Sequence, residues 1–168
     1  MKKLMVVALM TVVMIGAFAT NSPAANGLKQ GAFAFGVNVD DDFVLTGRYF
    51  VAQDLAILAL FGLGQHGGDS SGTDFGLGVG IRKYLSTEDF APFFGGVINY
   101  RKSTREDDLK EASIMGIFGA EYFFEKRFSV EGNVGFGYTS TETTPGATTR
   151  RDTNLGTQRF GLSLNFYF

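Results

Sequence analysis

The sequence predicts an all-β protein, an eight-stranded antiparallel β-barrel of up-and-down topology. Three observations support this fold. Successive segments alternate apolar with small or polar residues, which is the two-residue period of a strand with one apolar face. The C-terminal stretch 155–168, LGTQRFGLSLNFYF, shows this period most clearly. Turn residues separate the segments, and after the N-terminal region no segment has the length and hydrophobicity of a membrane helix.

Residues 1–25 are predicted to be a signal peptide. Lys2 and Lys3 precede an apolar run over residues 4–18, which is shorter than the roughly 20 residues that a spanning helix needs. Small residues then offer cleavage after one of three alanines: Ala19, Ala24 or Ala25. We therefore expect residues 26–168 to form a single exported domain.

The composition excludes several classes of function. The 15 basic residues fall to 13 without Lys2 and Lys3, against 17 acidic residues, so the mature chain is mildly acidic and nothing indicates a nucleic-acid partner. The chain has no cysteine, which excludes a disulfide framework and thiolate chemistry. An exported chain without disulfides needs another stabilising device, and a closed barrel is one.

Eight segments are predicted to be strands because each is bounded by turn residues. In chain order they are residues 31–39, 43–51, 55–64, 75–84, 93–100, 112–123, 128–138 and a closing strand within 155–168. Segment 75–84 is the clearest internal one, since Phe, Leu, Val and Ile alternate with Gly, Gly, Gly and Arg. Segment 55–64 is apolar on both parities, and there we assign Leu55, Ile57, Phe61 and Leu63 to the outer face.

The connections are predicted to differ between the two ends of the barrel. Those at 52–54, 85–92 and 124–127 are fairly short, whereas those at 65–74, 101–111 and 139–154 are longer and polar. Only the acidic turn at 40–42 breaks the pattern. Short turns at one end and long loops at the other are typical of bacterial outer-membrane barrels, whose short turns are periplasmic. An even strand count then places both termini on the periplasmic side.

Aromatic residues concentrate at the predicted strand ends, as in the girdles that mark membrane interfaces. The periplasmic set is Tyr49, Phe50, Tyr84, Phe90, Phe93, Phe94, Tyr122, Phe123, Phe124, Phe128, Phe166, Tyr167 and Phe168. Tyr100 and Tyr138 lie at the opposite ends. We interpret both sets as girdles rather than as ordinary core aromatics.

Alternation alone leaves open which face of the barrel is apolar. A soluble, lipocalin-like barrel would turn its apolar parity inward and expose the other parity to water. That other parity is mostly Gly, Ala, Ser and Asn, with few charges, which is poor for a solvated surface and suits a narrow interior. The sequence therefore favours a transmembrane barrel with its apolar face toward lipid.

The mature chain resembles the small eight-stranded outer-membrane barrels of the OmpA transmembrane-domain and OmpX type. The resemblance lies in aromatic strand ends followed by short turns (GRYFVAQDLAI and GAEYFFEKRFSV) and in the closing RFGLSLNFYF. It implies residence in the outer membrane of a Gram-negative cell, in contact with its lipid and lipopolysaccharide. It also implies a C-terminal signal read by the barrel assembly machinery, carried here by Phe160, Leu162, Leu164, Phe166 and Phe168.

Charged residues on the inward parity form the first candidate site. They are Arg48, Arg82, Glu121, Glu131 and Arg159. Because unpaired charges inside a narrow barrel are costly, we expect a salt-bridge network that plugs the lumen. The alternative, a gate, would need the same residues to open a water path.

Other candidates for chemistry are weak. His66 is the only histidine, so it cannot build a usual transition-metal site, and Ser70 and Ser71 near it lie in a predicted loop rather than on a rigid strand. Gly76, Gly78 and Gly80 alternate within a strand and so do not form a phosphate-binding loop. We expect no catalytic residue, no metal and no cofactor.

Basic residues near the predicted outer loops form the second candidate site. Arg101, Lys102, Arg105, Arg150 and Arg151 are predicted to contact lipopolysaccharide phosphates, the alternative being solvated loop charges. Neighbouring acids at 106–108 dilute this patch, and the Thr-rich segment 139–149 is read as a surface segment for adhesion or phage contact.

Together these observations predict a monomeric outer-membrane barrel with a structural or surface-interaction role and no enzymatic activity. A narrow porin-like channel for small solutes is the alternative. A lipid A-modifying enzyme is a third reading, which would need a Ser, His and acid cluster at the barrel rim.

Overall fold

The computed structural model describes residues 28–39, 44–66, 72–104, 108–144 and 149–168, and the predicted signal peptide and the turn at 40–42 lie outside them. Within these ranges eight strands form a closed barrel in chain order. They are β1 (Phe33–Asn38), β2 (Val44–Ala52), β3 (Leu55–His66), β4 (Gly72–Tyr84), β5 (Phe90–Ser103), β6 (Asp108–Glu125), β7 (Phe128–Thr144) and β8 (Arg150–Tyr167). The predicted fold class is confirmed. Across these ranges no helix is long and apolar enough to cross a membrane.

Every strand pairs antiparallel with its neighbour in sequence, and β1 closes the barrel by pairing with β8. In the closing ladder Ala34 lies opposite Tyr167 and Asn38 lies opposite Ser163. Beyond the ladder, the Val39 amide donates to the Leu162 carbonyl. Both described chain ends therefore lie at the same end of the barrel as the turns at 53–54, 85–89 and 126–127.

The side chains divide between the outer and inner faces of the barrel as the two-residue period predicts. Large apolar residues occupy the outer face, where Val79, Phe118 and Ile98 are exposed, whereas Arg48 and Glu131 on the inward parity are buried. On β3, Ile57, Phe61 and Leu63 are exposed while Ala56 and Leu58 are buried, which confirms the facing assigned to that ambiguous strand. A surface this rich in exposed Phe, Ile and Val is unusual for a protein in water.

The predicted long loops are the main error at this level, because much of each is strand. The segment assigned to a loop at 101–111 contains the end of β5 and the start of β6, and that at 139–154 contains the end of β7 and the start of β8. Thr is β-branched and favours a pleated backbone, and opposite charges pair across these strands, as Arg151 does with Glu142. Likewise β4 begins at Gly72, and β5 begins at Phe90, before the predicted end of the 85–92 turn.

A β-bulge in β8 was not predicted. The β7–β8 register shifts between Gly135 and Phe136, which pair with Arg159 and Thr157 and leave residue 158 as the extra residue. A bulge switches the parity that faces outward. Leu155, opposite Tyr138, and Leu162 are consequently both exposed on the outer face although their numbers differ in parity. This explains why the apolar alternation of the sequence begins only at residue 160.

Inward glycines let neighbouring side chains fill the lumen. A Cβ on Gly80 would lie 2.6 Å from the Gly96 carbonyl oxygen and 2.6 Å from Val97 Cγ1, and one on Gly78 would overlap Asn99 Oδ1. Gly76 is less crowded, with its nearest neighbour at 3.7 Å. The narrow interior therefore requires glycine at residue 80, where a Cβ would meet backbone, whereas at residue 78 a Cβ would displace the Asn99 side chain.

Candidate functional site: the filled lumen

A buried layer of charged side chains crosses the lumen in the half near the chain termini. Arg48 on β2 lies at its centre, because its guanidinium donates five hydrogen bonds. Nη1 donates to Glu121 Oε2 (3.0 Å), Tyr84 Oη (3.2 Å) and Tyr167 Oη (3.3 Å). Nη2 donates to Asn165 Oδ1 at 2.7 Å and to Glu131 Oε2. This one side chain thus links strands from both sides of the closing seam.

Arg82 on β4 forms the second cationic centre. Its Nη1 and Nη2 donate to Glu131 Oε2 and Oε1 at 2.9 and 2.8 Å, a bidentate pair of the kind that planar guanidinium groups favour. The guanidinium also lies 3.8 Å from the centroid of the Phe93 ring, in a cation–π contact. Two arginines and two glutamates therefore balance in charge inside the barrel.

Neutral groups satisfy the remaining carboxylate lone pairs. Glu121 accepts hydrogen bonds from Tyr84 Oη (2.8 Å), Tyr167 Oη (2.6 Å) and Asn165 Nδ2 (2.9 Å), and also from Ser129 Oγ. Asn133 Nδ2 donates to Glu131 Oε1 at 2.9 Å. Desolvating ions is costly, so a buried network of this kind holds only when every carboxylate is hydrogen-bonded.

A layer of aromatic rings closes the lumen between the charges and the chain termini. Phe50 packs on Tyr84 and Tyr167 at centroid distances of 5.8 and 6.0 Å, Tyr84 on Phe93 at 5.7 Å, and Phe123 on Tyr167 at 5.1 Å. We call these five residues the aromatic floor. All five are buried, so assigning them to the membrane girdle was wrong. Their parity points them inward, while Tyr49, Phe94, Tyr122 and Phe124 from the same strand ends are exposed outside.

The segment before β1 seals the floor from outside. Leu28 is buried in the same apolar cluster as Phe50 and Tyr84. Gly31 turns the chain toward β1 with a φ of 82°, a left-handed conformation that glycine adopts without strain. Its amide donates to the Phe50 carbonyl at 2.8 Å. Leu28 could not be predicted to be buried, because one leucine in a short irregular segment has no periodic pattern around it.

Above the charged layer lies a small cavity of about 40 Å³. One wall is apolar, with Leu58, Val97 and Met115, and the other is polar, with Thr46 and Ser163. The Nε atoms of Arg48 and Arg82 are buried without a hydrogen-bond partner in the described part of the chain, and both arginines line this cavity. A cavity of this size with polar groups on one side accommodates a few water molecules but no solute of appreciable size.

The structure brings four of the five predicted lumen charges together: Arg48, Arg82, Glu121 and Glu131. The fifth, Arg159, pairs through its backbone with Gly135, and its side chain lies outside the described residues. The interior partners that sequence reasoning missed include Tyr84, Tyr167, Asn165 and Ser129. All four lie on inward parities near strand ends, and this position was the signal by which the sequence could have indicated them as lumen residues.

The weak candidates for chemistry, the His66 side chain and residues Ser70 and Ser71, lie outside the described residues. Among the residues that are described, no group of three or more His, Cys, Asp or Glu is arranged to hold a metal ion.

The outer basic residues separate onto two faces. Arg101 turns inward, where its Nη2 donates to Asp74 Oδ2 at 3.0 Å, and Arg150 pairs with Asp152 along the strand. Lys102 and Arg151 lie on the outward parity, Arg151 paired with Glu142. Arg105 lies outside the described residues. The described members therefore lie on strands and not in loops as predicted, and alternation along these strands separates them onto two faces. Their contact with lipopolysaccharide phosphates stays a prediction.

The opposite rim carries a surface ion pair at the β2–β3 turn. Lys83 donates to the Asp54 carboxylate, and this hydrogen bond holds the pKa of Asp54 below its usual value.

Three residues of the predicted C-terminal signal, Leu162, Leu164 and Phe166, lie on the outward parity of β8. Phe168 follows the last residue of β8, and the Phe160 side chain lies outside the described residues.

Comparison with known proteins finds similar structures but no similar sequences. No family model matches the chain, and no curated protein matches it in sequence. The barrel superposes on the outer membrane protein OprG from Pseudomonas aeruginosa with a TM-score of 0.61 and 14% identity, covering 86% of this chain and 99% of that one. Its fold is that of the small outer-membrane β-barrels.

A second solved structure shares this fold. The N-terminal β-barrel domain of Pseudomonas aeruginosa OprF matches with a TM-score of 0.52 and 14% identity, covering 83% of this chain and 98% of that domain. At this identity the likeness extends to the fold and not to a ligand.

Proposed function

We propose that the protein is an integral barrel of a Gram-negative outer membrane, exported by its signal peptide, monomeric and without catalytic activity. In this proposal the lumen is closed and the protein acts through the part that projects beyond the membrane. The observation that carries the membrane placement is the inverted distribution of side chains. Large apolar residues such as Val79 and Ile98 cover the outside, while Arg48, Glu121 and Glu131 are buried inside. Lipid solvates such an outer face and water does not.

The unequal strand lengths support a role at the cell surface. β6 and β8 have 18 residues each and β1 has 6, whereas about 9 to 11 tilted residues cross a bilayer. The outer halves of β6, β7 and β8 therefore extend past the membrane as a sheet. The β1–β8 ladder ends at Asn38 and Ser163, so residues 150–157 of β8 lie beyond the end of β1. An edge strand in this arrangement suits pairing with an extended segment of another protein.

A charge placed on the outer face tests the membrane placement. We expect Val79→Arg to destabilise the barrel refolded in lipid vesicles by about 2 to 4 kcal/mol, because an arginine near the bilayer centre is poorly solvated. Urea titration followed by heat-dependent gel mobility measures the change. The matched control is Thr153→Arg, which adds the same side chain on the outward parity of the projecting part of β8.

A soluble barrel would predict the opposite effect of Val79→Arg on stability. If water surrounded the barrel, Val79→Arg would be an ordinary surface change of at most about 0.5 kcal/mol. Equal stability of the two variants in vesicles, or spontaneous solubility of the folded wild type without detergent, would overturn the proposal.

A narrow channel is the second candidate, and one observation favours it. The cavity that Arg48 and Arg82 line provides a space within the lumen that is large enough for a few water molecules. A channel would need this space to continue through the aromatic floor. Conductance separates the two candidates directly.

A further inference from the structure

Two lysines stand directly opposite each other on the outward face. Lys102 of β5 and Lys110 of β6 are register partners, so their Cα atoms are about 5 Å apart. Like charges in opposed positions destabilise a sheet unless something neutralises them. Lys110 was missed as a candidate because the sequence placed it in a loop.

Two of the neighbouring charges on the sheet are engaged elsewhere. Glu142 lies opposite Lys110 on its other side, but its carboxylate accepts hydrogen bonds from Arg151, including one from Nε at 3.0 Å. Arg101 lies on the inner face with Asp74. In the described part of the chain, neither lysine forms an ion pair with a carboxylate. The two ammonium groups therefore form a local cationic site on the outer wall.

An apolar groove begins directly below this cationic site. Tyr100 precedes Lys102 by two residues on the same face, about 7 Å along β5, and lines a groove of about 610 Å³. The floor of the groove is Gly47 and Ala59, which are register partners of each other. Phe35 lies next to Gly47 and Phe61 lies along β3 from Ala59, so larger side chains border the small pair.

We infer that the lysine pair and the groove bind one phosphorylated glycolipid of the lipid A class, with a phosphate monoester on Lys102 and Lys110 and an acyl chain in the groove. Two adjacent ammonium groups match the charge of about −1.5 to −2 on a phosphate monoester better than the single charge of a phospholipid diester. Tyr100 lies at the junction of the two parts, where an amphipathic ring suits the membrane interface. The inference rests on the proposed function, which places this end of the barrel at the outer leaflet.

The test is native mass spectrometry of the full mature protein in detergent, titrated with bisphosphorylated lipid A and, separately, with phosphatidylglycerol. We expect lipid A to bind more tightly. Each lysine near a charged lipid surface contributes about fivefold, so K102Q/K110Q should weaken lipid A binding about thirtyfold. The matched control is K126Q, which removes one positive charge at the 126–127 turn at the other end and should leave binding unchanged. Equal binding of lipid A by the wild type and K102Q/K110Q overturns the inference, as does a preference for phosphatidylglycerol.

A second variant tests the groove independently of charge. Ala59→Phe fills the floor from the lipid side, where the extra ring meets no packed core, and we expect it to weaken lipid A binding while leaving the folded barrel intact. Unchanged affinity in Ala59→Phe overturns the groove assignment. Thermal unfolding in detergent provides a further readout, because a ligand that binds the folded state raises the melting temperature of the wild type more than that of K102Q/K110Q. A wild type that inserts into vesicles normally and does not bind lipid A contradicts this inference alone, whereas a wild type that fails to insert contradicts the proposed function.

Discussion

Arg48→Met is expected to destabilise the folded barrel by about 3 to 5 kcal/mol, because it removes one partner of a buried ion network and leaves carboxylates uncompensated. Glu121 would lose its 3.0 Å partner, and Arg82, 4.0 Å from it, is too distant to replace that hydrogen bond. Glu131 would keep only Arg82 as a cationic partner. Urea unfolding in lipid vesicles, followed by heat-dependent gel mobility, measures the loss.

A matched arginine provides the control for this experiment. Arg150→Met removes an exposed guanidinium whose pair with Asp152 lies at the surface, and such pairs contribute about 0 to 1 kcal/mol. Adding Glu121→Gln to Arg48→Met should recover part of the stability, since the second change removes the unpaired charge. A cost of Arg48→Met no larger than that of Arg150→Met would show that the lumen network does not stabilise the barrel.

Phe50→Ala is expected to cost about 3 to 5 kcal/mol, the range for truncating a buried aromatic side chain in an enclosed site. Phe50 is fully buried and contacts both Tyr84 and Tyr167, the two tyrosines that hydrogen-bond Glu121. Its loss therefore creates a cavity and loosens the positions of two network members. Equilibrium unfolding in vesicles gives the free-energy change.

The adjacent residue supplies the comparison. Tyr49 is an aromatic side chain on the same strand, but it faces outward and is 52% exposed. Because lipid fills the space that Tyr49→Ala leaves, this variant should lose clearly less stability than Phe50→Ala. If the two variants were equally stable, the aromatic floor would not be a packed layer.

The sequence predicted the strand count and the facing of the side chains because the apolar part of each strand has a two-residue hydrophobic period. That signal disappears where the longer strands continue past the apolar part of the outer face, since both faces of the sheet are polar there. The Thr-rich part of β7 and the charged starts of β6 and β8 therefore looked like loops. No feature of the amino-acid composition near residue 158 indicated the bulge in β8.

The charged residues of the candidate site could be predicted from the sequence, but the contacts between them and their partners could not. Arg48, Arg82, Glu121 and Glu131 stood out because charges are rare on an otherwise small inward parity. Their partners depend on register accumulated over several strands, which no local pattern specifies. Tyr84 and Tyr167 were assigned to the girdle because girdle and floor aromatics both occur at strand ends, and only their parity distinguishes them.

The sequence did not predict that the outer cations face opposite sides, because it placed them in loops where the strands in fact continue. Arg101 and Lys102 are adjacent in sequence, and in a loop they would have shared one surface. In a strand they face opposite sides, so Arg101 pairs with Asp74 inside and Lys102 stands beside Lys110 outside. Successive side chains alternate between the two faces at the end of β5 as well, but this could be applied only once β5 was known to continue to Ser103.

Single-channel recording tests the central claim, a lumen closed by the charge network and the aromatic floor. The mature protein is refolded and inserted into planar bilayers, with Arg82→Ala and Glu121→Ala recorded alongside it. A closed lumen predicts that the wild type, with insertion verified by protease protection of the barrel, shows no discrete conductance steps. Reproducible wild-type steps whose size changes in either variant would contradict it, because ions would then be passing the residues that are proposed to block them.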